Sequence, residues 1–158
     1  LNFILEDVKE MKYHTDLKVI FEAFQGRQLE FNWLITDLEY VVNSKNRMIE
    51  SHPIVNQDVI FITGEELTKF INTYEIKFIW GVFTAIDKSI NINVNQLSVK
   101  PYANGNNNFW NGHPVIQYPN AVLEIVCWDS SLTLLLSEDE DIDDKFQDYF
   151  KSTKKLNF

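Results

Sequence analysis

At 158 residues the chain falls in the usual range for one domain, and 45% hydrophobic residues with 14% aromatics are enough to build a core, which excludes a disordered chain. Its formal charge of −9 at pH 7 repels phosphate backbones and anionic lipid, so nucleic-acid and membrane-surface roles are disfavoured and a basic protein partner is the one charge would attract. With Cys127 as its one cysteine no intrachain disulfide can form, and no apolar stretch approaches the roughly 20 residues that span a bilayer.

In chain order, Leu1–Asp7 lacks the basic region and small-residue cleavage site of a signal peptide, which makes a cytoplasmic location the expectation. Phe3–Val8 fits either a strand or a first helical turn. Thr15-Asp16 looks like a helix start, because Leu17, Ile20, Phe21 and Phe24 follow at helical spacing and Gly26 stands where a C-cap belongs. Leu29–Ile35 alternates as a strand. Residues 36–57, with Tyr40-Val41-Val42, the polar run Asn43–Arg47 and His52-Pro53, read mostly as loop with room for short strand pieces.

Val59–Ile62 is a short apolar strand, and Thr63 with Glu66 forms a capping box ahead of Leu67, Phe70, Ile71 and Tyr74. Residues 76–83 are apolar on both alternating faces, as in a strand covered on each side. Residues 59–86 therefore read strand–helix–strand, a crossover that could add a parallel pair. Residues 88–120 are rich in Asn and Pro, with turns at Asn104-Gly105 and Asn111-Gly112 and a short helix predicted near Val94–Val99. Val122–Trp128 and Leu132–Leu136 form a hairpin about Asp129-Ser130-Ser131. Ser137 and Glu140 suggest a second capping box. The helix after it has an acidic first turn, Lys151, Lys154 and Lys155 at its end, and Ile142, Phe146, Tyr149 and Phe150 on its buried face. The fold expected is α+β: a mainly antiparallel sheet of about five strands, two or three helices, and a C-terminal helix packed on the sheet, all in one domain over residues 1–158.

No motif points to a cofactor. The chain has 5 glycines and no Gly-rich phosphate loop. His14, His52 and His113 are far apart and read as structural, so no metal site is expected from them. The acidic run Glu138–Asp144 lacks the glycine that a calcium loop needs, and helix-dipole complementarity accounts for its charges. Asp129-Ser130-Ser131 with His113 would supply the residue types of a nucleophile site, but Asp and Ser are also ordinary turn formers. Cys127 sits in an apolar run, as a buried inert thiol does. The most suggestive segment is Pro101–Pro119, where Tyr102, Phe109, Trp110, His113 and Tyr118 stand among Asn and Gly. Aromatics on a polar loop suit a protein contact; alternatively the loop folds back and they cap the core. Base stacking would call for interleaved Lys or Arg, and the segment has neither.

Phe31-Asn32-Trp33-Leu34-Ile35 after a short helix, and Trp128-Asp129-Ser130-Ser131 before a strand and an acidic helix, resemble an uncharacterised family of small bacterial proteins. That likeness implies no activity and no site residues. In size and charge the chain is also similar to bacterial immunity proteins, which are often small, acidic and intracellular and neutralise a toxin by covering it. The function expected is thus an acidic intracellular protein-binding domain, an immunity-type inhibitor of a basic toxin or other protein. The alternative is an enzyme or small-molecule binder whose site is assembled from distant residues, with His113, Asp129 and Trp80 as first candidates.

Overall fold

The computed structural model describes residues 1–6 and 8–156. Its centre is an open, antiparallel sheet of seven strands: β1 (Asn2–Leu5), β2 (Phe31–Val42), β3 (Ile60–Thr63), β4 (Ile76–Asp87), β5 (Leu123–Trp128), β6 (Leu132–Ser137) and β7 (Lys154–Lys155), in the order β3-β2-β4-β5-β6-β1-β7. The opening stretch is thus a strand over its first residues, while Asp7 lies outside the described residues. The expected count of five falls short at the far edge, where β1 and the two-residue β7 join the sheet. No parallel pair forms at 59–86. β3 and β4 each pair antiparallel with β2, which lies between them.

β2 continues through Val42, where a loop was expected, and the reason is a pair of bulges. The β2–β4 register shifts between Thr36 and Glu39 and again between Glu39 and Tyr40. The first shift leaves Asp37 at φ 53°, and the second places Ile79 as the extra residue on β4. Each extra residue inverts the period-2 pattern. Phe78 therefore packs with the helices, while Trp80 and Val82 turn to the opposite face. Residues 44–51, also expected as loop, form a 3-10 helix.

Three helices cover one face: α1 (Leu17–Ala23), α2 (Gly64–Thr73) and α3 (Glu140–Tyr149). Leu17, Ile20, Phe21 and Phe24 are all buried, as their spacing predicts. Gly26 lies beyond the end of α1, whose C-cap is Phe24; Gly26 instead opens a 3-10 turn over Arg27–Glu30, so the strand expected from Leu29 starts at Phe31. Thr63 caps α2 by accepting the Glu66 N–H at 3.1 Å. α3 is capped by Asp139 and not by Ser137: Asp139 Oδ1 accepts the Ile142 N–H at 3.0 Å, and Arg27 Nη2 donates to Asp139 Oδ2 at 2.7 Å. The Ser137 hydroxyl instead accepts the Asp139 N–H at 3.1 Å, one step ahead of the helix. Ile142, Phe146 and Phe150 are buried, but Tyr149 is 37% exposed and its hydroxyl donates to Glu22 at 3.2 Å. Lys154 and Lys155 pair with Ile4 and Phe3 as the edge strand β7, where short length and charge blunt the edge.

The core under the helices is aromatic. Phe146 stands 5.9 Å from Phe3 and 5.0 Å from Phe150, and Phe21 stands 5.3 Å from Trp33. Cys127 is buried there, and burial pushes its thiol up to about 12, so it is an inert core residue.

The opposite face of the sheet carries no α-helix among the described residues, only a 3-10 turn at Asn107–Trp110. It is covered by the long connection from β4 to β5, which packs Ala103, Phe109 and Ile116 on Val82, Val126, Leu134 and Leu136, and Ile90, Ile92 and Leu97 against Leu34 and Ile86. The helix expected near Val94–Val99 does not form. The Asn93 side chain accepts the Asn95 N–H at 3.0 Å and its carbonyl accepts the Gln96 N–H at 3.0 Å, closing a turn that competes with helix.

Candidate functional site

The connection from Pro101 to Pro119 is tied down by polar groups of the sheet beneath it. The first β2 bulge presents two of them. Thr36 Oγ1 donates to the Pro101 carbonyl at 2.7 Å, and Asp37 Oδ2 accepts the N–H groups of Ala103 and Asn104 at 2.8 and 2.9 Å. The third is Glu124 of β5, which is 0% exposed. Its carboxyl accepts the backbone N–H of Gln117 and, at 3.2 Å, that of Tyr118. Gln117 then clamps the loop to itself: its Oε1 accepts the Tyr102 N–H at 3.1 Å and Asn106 Nδ2 at 3.2 Å. From β1, Asn2 Nδ2 donates to the Pro114 carbonyl at 2.7 Å.

Burial pushes the Glu124 carboxyl up from 4.5 to about 7, against the opposing pull of the Gln117 and Tyr118 N–H groups, which favour the charged form. Its cross-strand neighbour Thr84 has a buried Oγ1 with no partner. The site beneath the loop therefore holds a buried hydroxyl that is left unpaired beside the carboxyl's strand.

On this base the aromatic residues named from sequence take different places. Tyr102 is 44% exposed, His113 is exposed, Tyr118 is half-buried and Phe109, at 1% exposed, belongs to the core. The loop thus folds back in part: Phe109 caps the sheet while Tyr102 and His113 face solvent. Val115, at 75% exposed, adds apolar surface beside His113. Trp110 is half-buried and meets Trp128 at 5.1 Å, with Trp80 on Trp128 at 5.0 Å and Phe109 at 6.0 Å, all edge-to-face. Trp80 and Trp110, widely separated in sequence, are thereby gathered round Trp128, a residue not singled out from sequence. Its signal was its parity: on β5 it shares the face of Val126 and Glu124.

Two carboxylates border this cluster. Glu39 is the register partner of Trp80 across β2 and β4, so it lies on the same face. Asp129 follows Trp128 in the hairpin turn, where Asp129 and Ser130 both take positive φ and the Ser130 N–H donates to the Ile79 carbonyl at 3.1 Å. Both side chains are exposed, and neither has an ion-pair or hydrogen-bond partner among the described residues. Among the described residues, no hydrogen bond joins His113 to Asp129.

A groove lies on the opposite side, at the C-terminal end of α2. It encloses about 420 Å³ and is lined by Tyr13, Asp16, Lys18, Thr73, Glu75 and Phe78 among others. Lys12 Nζ and Tyr13 Oη both donate to Glu75 Oε1, at 2.7 and 2.8 Å, which holds the Glu75 carboxyl below its ordinary value. No histidine lines it. Among the described residues no group of three or more His, Cys, Asp or Glu side chains is placed to hold a metal ion.

No protein family, curated protein or solved structure matches this chain. No described helix is long and apolar enough to cross a membrane.

Proposed function

We propose that this is an acidic binding protein that presents the Pro101–Pro119 face to a basic protein partner, as an immunity protein covers a toxin. One observation carries the reading. From Ser89 to Leu123 the chain has a single Lys, Arg, Asp or Glu, Lys100, although the molecule as a whole carries −9. Lys100 is itself paired with Asp58 at 2.7 Å. The contact cores of protein interfaces are depleted in charge and enriched in aromatics, which is the composition of this face. The anchors Thr36, Asp37 and Glu124 also fix its backbone, so little ordering entropy is lost on association. The charge elsewhere on the molecule would speed encounter with a basic partner, and the half-exposed aromatics would hold it.

The alternative of an enzyme has less support. A general base needs a partner within hydrogen-bond reach, and His113 and Asp129 are exposed and not bonded to each other. The partner is to be captured from cells expressing the protein at low and moderate salt, purified and re-bound. Tyr102→Ala is expected to weaken the purified complex by roughly tenfold. Recovery of no partner at either salt, or binding indifferent to Tyr102→Ala and Trp110→Ala together, counts against the reading.

A further inference from the structure

We propose that the Trp80–Trp128 end of this face, with Glu39 and Asp129, is a recognition site for an arginine side chain of the partner. The inference deepens the binding-protein reading and rests on it for the identity of the partner's chemistry, but the site is built from residues that can be tested alone.

The indoles supply the first half of the chemistry. Trp80 and Trp128 are packed edge-to-face at 5.0 Å, and each keeps part of its surface in solvent. Tryptophan is the best aromatic partner of a cation, and the attraction grows when the site is partly shielded from water. The carboxylates supply the second half. Glu39 is fixed opposite Trp80 by strand register, and Asp129 is held by a turn whose Ser130 N–H is bonded to Ile79, the residue next to Trp80. Two exposed carboxylates flank the indoles, and no cation of the described chain pairs with either. On the loop covering this face, Lys100 is engaged with Asp58. A positive group from a partner would therefore meet two carboxylates that no cation of the described residues engages.

Among such groups a guanidinium fits best. It is planar, weakly hydrated, stacks on aromatic rings and donates in a fork that suits carboxylates, whereas an ammonium is a strongly hydrated point charge. The flanking carboxylates would add directional acceptors to a ring contact that has none.

The test uses the intact protein and short capped peptides: Gly-Arg-Gly, its citrulline counterpart, which is neutral and nearly isosteric, and Gly-Lys-Gly. Binding is read from the indole N–H resonances. Trp33 is an internal control, because it is buried and its Nε1–H donates to the Gln28 carbonyl at 3.0 Å. The arginine peptide is expected to shift Trp80 and Trp128 saturably and to leave Trp33 unmoved. The citrulline peptide should bind roughly tenfold more weakly, and Glu39→Gln with Asp129→Asn should weaken the arginine peptide by a similar factor. Both substitutions are at exposed positions, so a folded variant is checked by its unchanged Trp33 resonance. Equal binding of arginine and citrulline overturns the site, as does indifference to the double substitution. A lysine peptide that binds as tightly overturns the assignment to arginine. If the peptides fail but Tyr102→Ala still disrupts a partner complex, this site alone is wrong; if the peptides bind and no partner is found, the binding-protein reading is the one that fails.

Discussion

Glu124 is the residue on which the loop face depends most. A carboxyl with no exposure and only three donors, two of them main-chain, is held close to neutral, and its proton is part of the folded state. The folded value, about 7, lies above the 4.5 of the free side chain, so between these values the folded form keeps a proton that the unfolded form has released. The linked stability is therefore greatest below pH 4.5, falls as pH rises to about 7 and is level above that. The shift corresponds to a loss of roughly 3 kcal/mol across the window. Glu124→Gln keeps an acceptor for the Gln117 and Tyr118 N–H groups and supplies an amide donor next to the orphaned Thr84 hydroxyl. It is expected to match the parent near pH 4.5 and to exceed it at pH 8 by up to roughly 3 kcal/mol, read as a rise in Tm of several degrees. Thermal melts at the two pH values check this, and a variant less stable than the parent at pH 8 would show that the carboxylate form is the one the loop needs.

At the scale of elements, Gly64 shows how tightly α2 is set. A Cβ there would lie 2.2 Å from the Gln28 carbonyl oxygen and 2.9 Å from the Phe31 carbonyl oxygen, both main-chain atoms that cannot swing away. Gly64→Ala should therefore cost roughly 2–3 kcal/mol by forcing α2 off the 3-10 turn, a price measurable by urea unfolding; a cost under about 0.5 kcal/mol would mean the turn yields freely. The elements that were legible from sequence are those with an undisturbed period: α1, α2 and α3 at helical spacing, and the β5–β6 hairpin. The second half of β2 was not, because the bulge at Asp37 inverts its alternation, as the bulge at Ile79 inverts that of its partner β4. β7 was not, because two lysines pairing through their backbone leave no side-chain pattern. The site followed the same rule. Tyr102, Trp110 and His113 stand in one loop and could be named together, whereas Trp80, Trp128 and Glu39 meet only through the register of three strands and leave no local trace.

For the whole molecule, the arrangement separates two tasks. The connection that covers the loop face has one charged side chain between Ser89 and Leu123, Lys100, while the molecule as a whole carries −9. If the surrounding charge guides approach, raising ionic strength from about 0.05 to 0.5 M should slow association with a basic partner by tenfold or more and speed dissociation by much less. Stopped-flow rates separate the two, and a dissociation rate that climbs with salt in step would move the contact itself onto charged residues. The most direct measurement is in-cell photo-crosslinking from two exposed positions on opposite sides of the sheet, Val115 on the loop face and Asp144 on α3. A crosslinker at Val115 is expected to trap a basic protein that one at Asp144 does not; the same partner from both positions, or a partner from Asp144 alone, would contradict the account.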